Sequence, residues 1–207
     1  MSQMIIYDAI DQGTDEWMKI RLGIPTASMF SALLAKGEGK TRRSYMCRLA
    51  AEIITGEPTE TFTSPAMERG KVMESEARDW YAFQYNVEPE RVGFIVNGPK
   101  GCSPDSLLGT NGMLEIKTTR GDLLIEKLLK GEFSPEHKAQ CQGALWVAER
   151  EWIDLVTYWP RLPPLVVRAQ RDELYIAALS KAVSDFNAEL QEVVEQIRAY
   201  GGGKAAA

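Results

Sequence analysis

The sequence predicts an α/β fold in which a central mixed β-sheet is flanked by helices. Three observations predict it. Helical periodicity fills the first third of the chain. Short strand-like segments separated by Gly, Pro and Asn follow it. Two helices then divide those strands from two more, giving the order helix, three strands, two helices, two strands, helix.

Taken in order, Asp15 to Leu22 reads as a short helix behind a Thr14 cap, and Ser28 to Ala35 as another with Met29, Phe30, Leu33 and Leu34 on its apolar face. Lys36 to Lys40 carries two glycines and two lysines and reads as a basic loop. Thr41 to Thr55 is helical, with Tyr45, Leu49 and Ile53 on one side and Gly56 as its stop. Pro65 to Tyr85 is a long helix, capped by Ser64 with Pro65 at its first position. Val92 to Val96, Gly101 to Leu108 and Met113 to Thr118 are the first strands, with Asn111-Gly112 as a hairpin signal between the last two. Helices Gly121 to Leu129 and Pro135 to Ala148 come next. Strands Trp152 to Trp159 and Leu165 to Ala169 follow, joined by the turn Pro160 to Pro164. The last helix runs from about Asp172 to Tyr200; the face Leu174, Leu179, Val183, Phe186, Leu190 and Val194 suits either the monomer core or a subunit interface.

The chain has 207 residues and neither repeats nor a Pro- or Ser-rich linker, so one domain is expected over 1–200, with 201–207 as a flexible tail. A hydrophobic fraction of 44% beside 26% charged residues is that of a globular protein. No apolar run is long enough for a bilayer, and the first residues lack the features of a signal peptide, so a cytoplasmic location is expected. The three cysteines, Cys47, Cys102 and Cys141, form no C-x-x-C pair; they read as small buried residues and argue against a disulfide framework, a zinc site or a four-cysteine iron–sulfur cluster. A net charge of −5 argues against non-specific coating of nucleic acid, but an enzyme needs only a local basic groove.

The chemistry sits in Ser103-Pro104-Asp105 and, after nine intervening residues, Glu115-Ile116-Lys117. Strand side chains alternate faces, so Glu115 and Lys117 share one face while Leu114 and Ile116 point to the other. A reversal at Asn111-Gly112 brings Asp105 beside Glu115. Two carboxylates at about 4 Å repel by about 1 kcal/mol in water and about 4 at an effective dielectric of 20, so such a pair invites a cation. Hard oxygen donors select Mg2+, with Mn2+ able to substitute. Lysine beside such an ion suits phosphodiester hydrolysis, holding or activating the attacking hydroxide. The same spacing also fits a hairpin carrying ordinary surface charges.

These residues occur within a longer pattern. Trp17, Arg21-Leu22-Gly23 and Thr26-Ala27-Ser28 come first, then Arg69-Gly70-Lys71, Glu74 and Ala77-Arg78. Cys102 to Asp105, Leu114 to Lys117, and Ala139-Gln140-Cys141-Gln142 with Leu145-Trp146 complete it. Over roughly residues 10 to 160 the pattern resembles the phage lambda exonuclease (YqaJ-type viral recombinase) family of the PD-(D/E)XK nuclease superfamily, with its restriction-endonuclease-like fold. The resemblance implies a magnesium-dependent 5′-to-3′ exonuclease that degrades one strand of linear double-stranded DNA. The 3′ overhang would pass to a single-strand annealing protein in phage recombination, and the enzyme would be a homotrimer ring around DNA in the host cytosol.

Carried over residue by residue, Asp105, Glu115 and the Ile116 carbonyl would be metal ligands, Lys117 would position the water, and Glu74 would complete a second metal position or orient its water, or else be a solvated glutamate of a long amphipathic helix. Gln140 would bind the scissile region or the water. Arg21, Ser28 and Ser103 would grip the terminal 5′-phosphate, by guanidinium fork and hydroxyl donors. The sequence departs from the lambda exonuclease pattern at His137, which stands in place of a tyrosine, and at Gly143, which stands in place of an aromatic. His137 reads as a surface residue or a DNA contact, and the loop Lys36 to Arg43 as a backbone-tracking or wedge element or a merely solvated one. Trp80, Trp146, Trp152 and Trp159 read as core. The alternatives in function are a structure-specific or restriction-type endonuclease of the same superfamily, and a non-catalytic module that recruits a recombination partner.

Overall fold

The computed structural model describes residues 3–34, 39–59 and 65–202. The expected Ser64 cap, most of the basic loop and the end of the tail lie outside the described residues. Seven strands and seven α-helices are described: β1 Ile5–Tyr7, α1 Asp15–Ile20, α2 Phe30–Leu34, α3 Lys40–Thr55, α4 Pro65–Tyr85, β2 Phe94–Val96, β3 Gly101–Cys102, β4 Ser106–Leu108, β5 Gly112–Thr118, α5 Gly121–Lys130, α6 Lys138–Ala148, β6 Trp152–Tyr158, β7 Leu165–Gln170 and α7 Glu173–Gly202.

The mixed sheet is β4-β5-β6-β7. Strands β5 and β6 are parallel, and the edge strands pair antiparallel. A parallel pair needs a long crossover, and α5 and α6 supply it. A second, antiparallel sheet, β1-β2-β3, was not expected from the sequence. The stretch Gly101 to Leu108, expected as one strand, is two strands in different sheets. Pro104, which has no N–H to give a ladder, stands in the break between them. The hairpin also differs from expectation. Gly112 already pairs with Leu108, so the reversal is Gly109 to Asn111, with Gly109 in the left-handed region at φ 55. The register is as expected: Ser106 faces Leu114, which sets Asp105 opposite Glu115.

Several helix ends follow local chemistry. The Thr14 hydroxyl accepts from Trp17 N at 3.2 Å and caps α1. Gly56, at φ 71, closes α3. Two expected helices begin instead as 3-10 turns, Ala27–Met29 before α2 and Pro135–His137 before α6.

The main core lies between α6, α7, α3 and one face of the sheet, including Phe30, Leu49, Met113, Leu145, Ile153 and Phe186. Leu114, Ile116 and Val156 on the other face pack with Ala77 and Tyr81 of α4. Of the α7 face, Leu179, Val183, Phe186, Leu190 and Val194 are buried in this core, whereas Leu174 is exposed. That helix continues to Gly202, into the expected tail. Trp80, Trp146 and Trp152 pack against the cores as expected. Cys102 and Cys141 are buried, but Cys47 is exposed because it stands on the solvent side of α3. No described helix is long and apolar enough to cross a membrane.

Candidate active site

Beyond Leu114, β4 no longer pairs with β5, and the candidate residues gather along that released edge. The Ile116 N–H donates to Asp105 Oδ2 at 2.5 Å. In a strand the N–H and C=O of one residue face the same side, so the Ile116 carbonyl faces this edge as well. Glu115 is buried at 4% exposure. Its Oε1 lies 2.7 Å from Lys117 Nζ and accepts from Gln140 Nε2 at 2.5 Å. Asp105, Glu115, Ile116, Lys117 and Gln140 are therefore brought together.

Gln140 reaches the site from α6, and helix geometry separates it from Gln142. Two residues along a helix turn the side chain by about 200°. Gln142 is buried on the far side, where its amide bonds Gln170 O and Asp172 N, both at 2.8 Å. Only Gln140 of the pair faces Glu115.

The electrostatics are those of crowded carboxylates. Burial, then the charges of Glu115 and Glu74, hold Asp105 well above the usual carboxylate range. Burial also raises Glu115, against the opposing pull of Lys117. For Lys117, burial acts to lower the pKa, but Glu115 and Asp105 leave it above its ordinary value, so the ammonium is charged. Burial and then the Lys117 charge push His137 down, which places this imidazole near the site; its Nε2 is 3.3 Å from Glu136.

Glu74 is near enough for its charge to act on Asp105, but its carboxylate is turned to Arg78 Nη2 at 2.5 Å. Arg78 also donates from Nε to Ser106 Oγ at 3.1 Å, and that hydroxyl donates to Asp105 O at 2.5 Å. Among the described residues, no three His, Cys, Asp or Glu side chains are gathered closely enough to hold an ion. The donor set nonetheless fits a hard cation. The bonds above use only Oε1 of Glu115 and Oδ2 of Asp105, which leaves an oxygen on each, and the Ile116 carbonyl faces the same edge.

The segment Ser103 to Asp105 is held from the N-terminal region. Gln12 Nε2 donates to Val92 O and Pro104 O, both at 3.0 Å. Trp17 Nε1 donates to Gly93 O at 2.8 Å and Ser103 Oγ at 3.1 Å. The Arg21 guanidinium lies 3.6 Å from the centre of the Trp17 ring, and burial pushes its pKa down to about 10. Ser28 Oγ is 3.3 Å from Thr26 Oγ1, and Thr26 bridges Gly101. Arg21, Ser28 and Ser103 thus gather in one region through Trp17 and Thr26. Gln12, Trp17 and Arg78 were not singled out from sequence as site residues; Trp17 and Arg78 stood in the matched motifs, whereas nothing local marks Gln12. These residues border a cleft of about 870 Å³ that includes Gln12, Trp17, Arg21, Glu74, Arg78 and Asp105.

In the expected basic loop, residues 36–38 lie outside the described residues, as does Ala35 at the end of the helix expected before it. Arg42 belongs to α3 and pairs with Glu189 at 2.7 Å, so it is not a loop cation. Gly143 permits α6 to approach the 3-10 turn and α2: a Cβ there would stand 2.4 Å from Phe30 Cδ2, which leaves no room for an aromatic.

The decisive comparison is at family level, where residues 16–151 match the YqaJ-like viral recombinase domain. This chain belongs to that family. Its structure is similar to an alkaline exonuclease, LHK-Exo, from Laribacter hongkongensis: 32% identity, TM-score 0.84, covering 93% of this chain and 100% of that one. The LHK-Exo complex with dAMP matches at 33% identity and TM-score 0.85, with the same coverage. A phage-related exonuclease from Haemophilus somnus 129PT shares the fold at 14% identity and TM-score 0.62, over 84% of this chain and 96% of that one. Curated proteins yield no match.

Proposed function

We propose that this family member is a magnesium-dependent deoxyribonuclease that removes nucleotides 5′-to-3′ from one strand of linear double-stranded DNA. The observation that carries the reading is the Asp105, Glu115, Lys117 and Gln140 cluster on the released edge of β5. Membership of the family and likeness to an alkaline exonuclease support it.

Asp105, Glu115 and the Ile116 carbonyl would hold the ion, and Glu74 would join them on leaving Arg78. Bound there, Mg2+, or Mn2+ in its place, polarises the phosphate and lowers the pKa of a bound water. Lys117 holds the attacking hydroxide by its charge and is kept charged by Glu115. Gln140 fixes the Glu115 carboxylate and faces the water or the scissile group. Arg21, with Ser28 and Ser103, engages the terminal 5′-phosphate and so sets the end from which the strand is cut. The 3′ single strand goes to a single-strand annealing protein in phage recombination. Three copies of the chain form a ring around the duplex, and the setting is the cytoplasm of the bacterial host.

End-labelled linear duplex with magnesium tests reaction and polarity together. A 5′ label should be released as mononucleotide from the first turnover and a 3′ label only late, while closed circular duplex stays intact. Efficient cutting of the circle would instead assign an endonuclease.

A further inference from the structure

A small pocket of about 120 Å³ opens beside the main cleft, sharing Trp17, Met18 and Arg21 with it. Arg48, Tyr45, Thr26 and Glu52 also line it. Among the described residues, only Arg21 and Arg48 bury a side-chain polar atom with no hydrogen-bond partner, in each case the Nε–H. A buried donor left unpaired is costly, and two of them in one pocket point to an acceptor that comes from outside the chain.

The protein's own anions do not meet that need. Glu52 Oε1 is 4.0 Å from Arg48 Nε, and its Oε2 accepts from Gly23 N at 3.1 Å. Arg21 makes no ion pair among the described residues and packs on Trp17 instead. The pocket therefore holds two guanidiniums against one partly engaged carboxylate. Tyr45 adds a donor: its hydroxyl oxygen accepts from Thr26 N at 3.0 Å, so its own proton remains to be given. Tyr45 and Arg48 are three residues apart on α3 and share a face.

We propose that Arg48 and Tyr45 complete, with Arg21, a pocket for the 5′-phosphomonoester at the DNA end. This rests on the exonuclease reading above and adds two residues of α3 to it. A terminal monoester carries about −1.5 to −2 at neutral pH, whereas an internal diester carries one charge, so a paired-guanidinium pocket favours the end over the interior of a strand. The pocket has room for a phosphate group, and the nucleoside is left in the larger cleft that Glu74 and Asp105 line. Ser28 and Ser103 touch Thr26 and Trp17, two of its walls, which sets their hydroxyls beside the same phosphate.

The test is binding in EDTA, which separates recognition from hydrolysis. Fluorescence anisotropy gives Kd for a blunt duplex ending in 5′-phosphate and for the same duplex ending in 5′-hydroxyl. The wild type should prefer the phosphate. Arg48→Gln should cut that preference about tenfold and Tyr45→Phe about threefold, with affinity for the hydroxyl end little changed. Arg48→Lys, keeping charge without the fork, should fall between. A wild type that discriminates beside an Arg48→Gln variant that discriminates equally overturns this proposal and leaves the exonuclease reading standing. A wild type with no preference overturns both this pocket and the terminal-phosphate role of Arg21. Should Arg48→Gln fail to fold by circular dichroism, Tyr45→Phe decides, because it removes one oxygen from an otherwise unchanged ring; undiminished preference there refutes the pocket.

Discussion

Asp105 is held above its ordinary pKa by burial and by the neighbouring carboxylates, and the sign of its contribution to stability follows. A raised folded pKa means that the favourable contribution is complete below the unfolded value, about 3.9 for Asp, and is lost as pH rises through the folded one. The metal-free protein should therefore lose stability over that window, and Asp105→Asn should relieve the loss. The Tm of this variant in EDTA at neutral pH should exceed the wild type by a few degrees, roughly the effect of 1 kcal/mol in a chain of this size. Added magnesium should raise the wild-type Tm but not that of Asp105→Asn. Equal responses of the two proteins to magnesium would remove Asp105 from the metal site. Lys117→Ala makes a separate prediction: turnover should fall by about 10²- to 10⁴-fold with DNA affinity largely kept. Full activity in that variant would reassign the water-positioning role. Asp105, Glu115 and Lys117 were legible in the sequence because strand alternation and a short hairpin are local. The roles of Arg78 and Gln12 were not, because their contacts with this segment span 28 and 92 residues.

At the scale of the element, α6 packs in the core and carries Gln140 of the candidate site. It is buried nearly all round, so its small residues Ala139, Cys141, Gly143, Ala144 and Ala148 allow close approach on several sides. Gly143→Ala should cost about 1–3 kcal/mol through overpacking against Phe30, seen as a lower urea midpoint with an unchanged m-value. Helix α4 carries Glu74 and Arg78, and it is tied to the mixed sheet by the Tyr81 hydroxyl, which donates to buried Asp154 at 2.5 Å. Arg168 completes that cluster with bonds of 2.7 and 2.8 Å to the same carboxylate. Asp154→Ala should destabilise the fold by about 3 kcal/mol, since it strands Tyr81 and the guanidinium together, and should weaken turnover through α4. The existence of both helices was clear from periodicity. The 3-10 entry to α6 was not, because Pro135 is equally acceptable at the start of either helix type.

At the scale of the whole molecule, the candidate site lies where the chain passes from one sheet to the other. Ser103-Pro104-Asp105 leaves β3, is gripped by Trp17 and Gln12, and enters β4 beside β5. The proposed ring makes a prediction at this scale: sedimentation equilibrium should give the mass of three chains, and a single-chain mass at micromolar concentration would exclude the ring. What the sequence by itself determined was the family, most element positions, and the Asp105, Glu115 and Lys117 trio, because these rest on motif spacing and the periods of strand and helix. Only the tertiary structure decided that Gly101 to Leu108 divides between two sheets, that Gln12 holds Pro104, and that Arg21 meets Arg48 in a small pocket beside the main cleft. Those outcomes depend on which distant surfaces bury together and which buried polar groups find partners, and no local pattern encodes either.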